Sequence, residues 1–368
     1  MSPTVNPTPQ LVVVSLSTAC WGAEQSLLLL AANVRADVLV ACPRGELFDR
    51  AGAAGLGTLA LDDPAVLRCA QVGSTVGTTA TGPVLLAGAA ALARLPLWDR
   101  DAAVSFSQWL HLPLALAGRV RRRRVVLDLH DGPFSRGGSA VQSAATWTAT
   151  ATVAVSRTAL EHVRSWPSGR ATVVPRPVGL PELKDRAPHD DDGRPLRLAI
   201  VGRLDPEKRV DVALTAHEML LAAGVPAVLD VVGDGHRSAA DLAALRRRWP
   251  GAVFHGRLPH AQALGVVADA DLLLSTAVGE AFGRTVLEAA LLGVPSVVVG
   301  GGPAERVRDG VDGFVVPPDD PASLAALLTR LAADRDQVSL AGAAALETAG
   351  RVASPSGVAA RWLQAVLP

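Results

Sequence analysis

Short runs dominated by Val, Leu and Ala recur along the chain, separated by longer stretches of helical character. In the first half they fall at 11–16, 37–42, 57–61, 102–106, 125–130, 151–155 and 171–175. Runs this short and this apolar suit strands buried on both faces. Between them Glu24–Val34, Pro83–Leu95, Leu110–Val120 and Arg157–Ser165 read as helices. Strand–helix alternation predicts a parallel sheet with right-handed crossovers.

The pattern breaks after Pro175. Residues 176–195 carry Pro177, Pro181, Pro188 and Pro195 and the acidic run Asp190–Asp192, the composition of a linker. A second alternation follows, with strands near 196–202, 227–232, 252–255, 271–275, 295–300 and 313–316 and helices including Val210–Ala223, Ala239–Trp249 and Thr285–Leu292. The expected division is a first domain over 1–180, a linker over 181–195, a second domain over 196–350 and a C-terminal helical segment over 351–368. That last helix either crosses back to the first domain or caps its own. Val72–Gly82, rich in Gly, Thr and Ser, reads as a mobile loop. The fold class is α/β: two Rossmann-like, doubly wound domains. Open sheets of this kind bind ligands at the carboxyl ends of their strands, so the cleft expected between two of them is where chemistry is sought.

Composition narrows the picture. At 368 residues the chain is too long for one core, and its 49% apolar content excludes disorder over most of its length. A formal net charge of zero argues against a whole-chain nucleic-acid footprint. Three cysteines, Cys20, Cys42 and Cys69, lack CxxC spacing and fit a reducing cytoplasm better than a disulfide or zinc scaffold. No signal-peptide pattern and no apolar run long enough to span a membrane are present. Cations are nearly all Arg; Lys184 and Lys208 are the two lysines, so a lysine at a motif position carries weight.

The most informative string is Ser275-Thr-Ala-Val-Gly-Glu280-Ala-Phe-Gly283-Arg-Thr-Val-Leu-Glu288. A strand ends near Thr276, a loop carries Glu280, and a helix opens around Gly283. The unpaired N–H groups and the dipole of a helix start favour an anion, and Gly283 leaves the backbone open to a phosphate. Glu288 then suits a ribose diol and Glu280 sugar hydroxyls. A second string, Val201-Gly-Arg203-Leu-Asp-Pro-Glu-Lys208, sets two cations after a strand, as a departing diphosphate requires. Near the start, Cys20-Trp21-Gly22-Ala-Glu24 follows the first strand and opens the first helix. Leu127-Asp-Leu-His130-Asp131 ends another strand, with Asp131 placed to cap the turn that follows.

Taken together these strings resemble the retaining glycosyltransferases of family 4, the glycosyl transferases group 1, which have the GT-B fold. The resemblance runs from Ser15 to Val316. Glu280 and Glu288 match the family's E-x7-E pair, which implies that Glu280 contacts the transferred sugar and Glu288 holds the nucleotide ribose. Amides at Phe282 and Gly283 would hold the distal phosphate, with Ala281, Arg284 and Thr285 in the same donor stretch. Arg203 and Lys208 match the diphosphate-binding G-R-L-x-x-x-K motif. Gly22 falls in a glycine-rich loop beneath donor and acceptor, where Trp21 replaces a Gly and lies on the acceptor side. His130 would face the transferred sugar, with Asp131 beside it towards the acceptor. Gly233 resembles a turn near the nucleotide, and Arg257 and Leu258 a base-reading loop. Val174-Pro-Arg176-Pro departs from the family's P-N-G, leaving Arg176 either against the acceptor or as a linker residue.

The implied activity is metal-independent transfer, with retention, of a hexose or N-acetylhexosamine. The donor is a nucleoside diphosphate sugar, UDP being the commonest, and the acceptor a hydroxyl of a bacterial small molecule or cell-surface glycan. His130, Glu280, Arg203 and Lys208 would be the catalytic set, with no cofactor beyond the donor. The alternative is a GT-B epimerase acting on a sugar nucleotide without transfer. A nicotinamide dehydrogenase fits poorly, since the first strand leads to a single Gly22 in place of G-x-G-x-x-G. Arg121–Arg124 suits a solvated surface or peripheral contact with anionic lipid. Asp269-Ala-Asp271 precedes a strand and reads as structural in place of a metal motif, and His111 is a weaker candidate for the acceptor side. Oligomeric state is not indicated.

Overall fold

The computed structural model describes residues 8–72, 81–132, 135–161, 163, 169–180, 193–235 and 239–367. The chain divides into two compact units, 1–177 with 354–368, and 178–353. In the first unit seven strands form one parallel sheet, β1 (Gln10–Val14), β2 (Asp37–Cys42), β3 (Gly57–Ala60), β4 (Ala102–Ser105), β5 (Val125–Leu129), β6 (Ala151–Ala154) and β7 (Ala171–Val173), in the order β3-β2-β1-β4-β5-β6-β7. In the second unit β8 (Leu196–Val201), β9 (Ala227–Val232), β10 (Val253–Gly256), β11 (Leu272–Ser275), β12 (Ser296–Val298) and β13 (Gly313–Val315) form a parallel sheet in the order β10-β9-β8-β11-β12-β13. Both are doubly wound. The strand order reverses between β1 and β4 in one and between β8 and β11 in the other, the places where open α/β sheets bind ligands.

The apolar runs form these strands because both faces of each sheet are covered. In β8, Leu198 and Ile200 enter a core with Leu214, Leu229 and Phe314, while Ala199 between them joins Leu273, Val286, Ala289 and Val298 on the other face. This alternation is the two-residue period of a strand. Ala199, Leu273 and Val298 thereby seat the helix Arg284–Leu291, whose Val286 and Ala289 join the same cluster. The first residues of that helix are held at the carboxyl end of the sheet.

Each expected strand has its counterpart among the described residues, with ends moved by one or two positions. The loop expected at 72–82 is different. Val72 is buried, Thr81 and Gly82 open the helix Thr81–Leu92, and residues 73–80 lie outside the described residues. Most of the expected linker, with Asp190–Asp192, also lies outside them.

The C-terminal helix Pro355–Val366 belongs to the first unit. Its Val358, Ala359, Trp362 and Val366 join Leu11, Leu30, Val104, Val126 and Val153 in one core. Arg124 Nε donates to the carbonyl of Val366 at 2.5 Å, so this member of the Arg121–Arg124 run is committed within the fold.

Candidate functional site

In the second unit the string after β8 and the string after β11 meet. Lys208 lies in a single 3₁₀ turn, Pro206–Lys208, and its ammonium donates to the Glu280 carboxylate. Backbone bonds fix the approach: Thr276 Oγ1 donates to the carbonyl of Lys208 at 2.9 Å, and the N–H of Val278 to the carbonyl of Glu207 at 3.3 Å. Burial alone would raise the Glu280 carboxyl. The Lys208 ammonium outweighs it, aided by the Gly283 N–H and Arg203, and the carboxyl stays below its ordinary value. Arg203 pairs with buried Asp205 at 2.9 Å while its side chain remains partly exposed.

The helix Arg284–Leu291 is capped by Gly283 at φ +74°. A Cβ there would stand 2.5 Å from Pro303 Cγ, so both conformation and space require glycine. Ala281 and Phe282 precede it, buried. Gly302 N donates to the carbonyl of Glu280 at 2.8 Å, and Arg306 locks Phe282 by an Nε bond to its carbonyl at 3.3 Å and by stacking 4.2 Å from its ring centre. Burial lowers the Arg306 guanidinium to about 10. Thr285 Oγ1 reaches the carbonyl of Val201 at 3.5 Å, tying this helix start to the end of β8.

Glu288 is buried, one turn into the helix, and not on a solvated face. Its Oε1 accepts from Arg284 Nε and from His260 Nε2, each at 2.8 Å. Arg284, expected along the donor, is thus spent at least partly on Glu288. His260 opens the helix His260–Ala268, directly after Arg257-Leu258-Pro259. Arg257 is exposed and Leu258 half-buried after β10. Gly233 follows β9 at φ +126°, and a Cβ on it would lie 1.8 Å from the Gly202 carbonyl oxygen. Only glycine lets these two loops approach so closely.

Asp271 binds Arg194 and Arg335, the latter at 2.9 Å, and accepts from the Arg197 N–H at 2.8 Å. Its carboxylate is spent on holding β11 to the segment entering β8.

In the first unit, Trp21 caps the helix Gly22–Asn33, half-exposed, and its N–H donates to Glu24 Oε2 at 3.1 Å. At the end of β4, Ser107 Oγ receives the Leu16 N–H at 2.8 Å, joining the strand ends around the sheet reversal. His130, just past β5, is largely buried. Its ring centre lies 4.1 Å from that of Phe106, its Nδ1 is 3.1 Å from the Asp128 carbonyl, and its Nε2 is 3.8 Å from Asp131. His111 is fully enclosed and bonded through Nδ1 to Ser105 Oγ at 2.8 Å, which removes it as a surface contact. Burial, with His130 nearby, lowers it to about 3, so the ring is neutral. Arg176 neither lies in a linker nor meets solvent. It is buried and paired with Asp128.

Sequence reasoning passed over His260 and Arg306. Arg306 follows Gly300-Gly-Gly-Pro-Ala-Glu305, and a cation next to a glycine-rich turn was the available signal. His260 had none, because its partner lies 28 positions away.

Residues 195–334 match the family model described as glycosyl transferases group 1. Among curated proteins, an exopolysaccharide phosphotransferase of Streptomyces coelicolor is 35% identical over 159 residues, 41% of this chain and 16% of that protein. A 2-deoxystreptamine N-acetyl-D-glucosaminyltransferase of Streptomyces fradiae is 35% identical over 199 residues, 49% of this chain and 45% of its own length. The chain therefore spans less than half the length of either relative. Among solved structures, Anabaena HepE in complex with UDP and glucose superposes with a TM-score of 0.76 at 20% identity, over 96% of this chain and 98% of that one. The architecture is GT-B, two Rossmann-like units each built on a parallel sheet.

Proposed function

We propose that the chain is a glycosyltransferase that takes a hexose or N-acetylhexosamine from a nucleoside diphosphate sugar, with UDP as the nucleotide, and passes it to a hydroxyl of a small molecule or cell-surface glycan. One observation carries the reading. Lys208, Glu280 and the start of the helix Arg284–Leu291 converge at the carboxyl ends of β8 and β11, where the sheet order reverses. A cation beside a helix N-terminus is a site for phosphate, and a carboxylate beside both suits sugar hydroxyls. Buried Glu288, braced by two donors, supports a ribose contact. The match of this segment to a glycosyl transferases group 1 model supports the class. The Streptomyces relative named for N-acetylglucosaminyl transfer and the UDP-bound HepE structure support the donor.

In this reading Arg203, Lys208 and the helix start stabilise the charge that builds on the departing diphosphate. Gly22, Gly233, Arg257 and Leu258 serve the donor, and Trp21 and Asp131 serve the acceptor. His130 contacts the transferred sugar. The acceptor hydroxyl attacks the face the diphosphate leaves and gives its proton to the leaving oxygen, so configuration is retained. No metal is required.

Calorimetric titration with UDP, followed by turnover of UDP-glucose and UDP-N-acetylglucosamine, tests the donor. A chain that binds no uridine nucleotide overturns it. Product NMR tests the stereochemistry, and an inverted anomer refutes the same-face route. Undiminished turnover in EDTA is expected.

A further inference from the structure

Beneath His130 lies a buried polar cluster that the reaction above does not use. Asp128 is fully buried in β5, two residues before His130. One carboxylate oxygen, Oδ1, pairs with Arg176, and the other, Oδ2, accepts from Trp362 Nε1 at 3.0 Å. Trp362 comes from the C-terminal helix, 234 positions along the chain. The Arg176 guanidinium sits 5.3 Å from the centre of the Phe106 ring, and His130 stacks on that same ring. Arg176 Nε and Nη1 are buried and have no hydrogen-bond partner among the described residues. Burying a guanidinium with unmet donors is unfavourable, and a well-packed apolar group is often no worse for stability. The cluster therefore calls for a role beyond packing.

Its contact with His130 supplies one. Nδ1 of His130 is 3.1 Å from the Asp128 carbonyl oxygen, which can only accept, and 3.6 Å from Asp128 Oδ1. Both neighbours demand a proton on Nδ1, while Asp131, the carboxylate facing Nε2, stands 3.8 Å off, beyond hydrogen-bond reach.

We propose that Asp128 and Trp362 are positioning residues for His130: Trp362 fixes the Asp128 carboxylate, and Asp128 holds the imidazole as the Nδ1–H tautomer, presenting Nε2 as an acceptor to a sugar hydroxyl. The part concerning the sugar rests on the function proposed above; the tautomer does not.

The test uses the full chain labelled with ¹⁵N-histidine, with the His130 signals assigned by their loss in His130→Gln. Wild type is expected to show the Nδ1–H tautomer. Asp128→Asn and Trp362→Phe, the second removing the indole N–H but keeping an aromatic ring, are expected to give mixed tautomers. In the same variants kcat for UDP release from UDP-glucose should fall about tenfold or more, while UDP affinity stays within about twofold. An Nε2–H wild type overturns the proposal even if neither variant folds. Folded variants that keep both tautomer and kcat overturn it as well. If wild type binds no UDP and releases none, the donor reading fails, and the NMR result alone then decides the positioning role.

Discussion

His260 Nε2 stands 2.8 Å from Glu288 Oε1, joining the first residue of one helix to the interior of another. Glu288 Oε1 is shared with Arg284, so its second oxygen is the one offered to a ribose in the proposed complex. Glu288→Gln should weaken UDP binding about tenfold, since a charge-assisted hydrogen bond is worth about 1.5–3 kcal/mol. His260→Ala should weaken it less, by about threefold, because Arg284 still braces the carboxylate. Calorimetric Kd values for UDP check both.

Glu280→Gln should act differently. In the proposed function it touches the transferred sugar, so kcat for UDP-glucose should fall about a hundredfold with UDP affinity little changed. A parallel loss of UDP affinity would move Glu280 from the sugar to the nucleotide.

Lys208 also carries stability. It holds the Glu280 carboxyl below its ordinary value of 4.5. Ionised Glu280 therefore favours the folded state above about pH 4.5, and that contribution fades as the pH falls through the lowered folded value. Lys208→Met strands the carboxylate and should cost about 1–2 kcal/mol at pH 7, a Tm drop of about 2–6 °C. At pH 3 the gap between variant and wild type should narrow. Thermal melts at the two pH values measure it.

His111 makes the first unit acid-sensitive. Its folded-state value of about 3 lies far below the ordinary 6.5. Between those limits the unfolded chain takes up a proton that the folded chain refuses, so stability falls with falling pH by up to about 1.4 kcal/mol per unit. His111→Gln should flatten that slope between pH 6 and 4, as read by urea unfolding.

Gly283→Val places a branched side chain at φ +74° and against Pro303. The strain should cost about 2 kcal/mol or more and displace the helix start. Loss of UDP binding together with a lowered Tm is the expected result.

The sheets were legible because strands buried on both faces are written as unbroken Val and Leu runs, and β8 and β11 needed nothing more. Helices whose cores are made of small residues were harder. Arg136–Thr148, sequence RGGSAVQSAATWT, is built mostly of small and polar residues, with Val141 and Trp147 its two large apolar side chains. The strings that carry Arg203, Lys208, Glu280 and Glu288 were legible because their residues are neighbours in sequence. The partners that hold them were not. Asp128 meets Arg176 across 48 positions and Trp362 across 234, and local pattern carries no trace of either. Arg176 illustrates the difficulty: a lone cation among prolines looks like linker, yet it lies in the core beneath His130.

The helix Pro355–Val366 has a consequence for biogenesis. As the ribosome delivers the chain, the first unit emerges lacking Val358, Trp362 and Val366, and Leu11, Val104 and Val126 wait for them while Val178–Ala353 is made. Asp128 and Arg176 are then together without the indole that completes their cluster. The first unit can therefore close its core only after Pro355–Val366 has emerged, and until then an apolar face stays exposed.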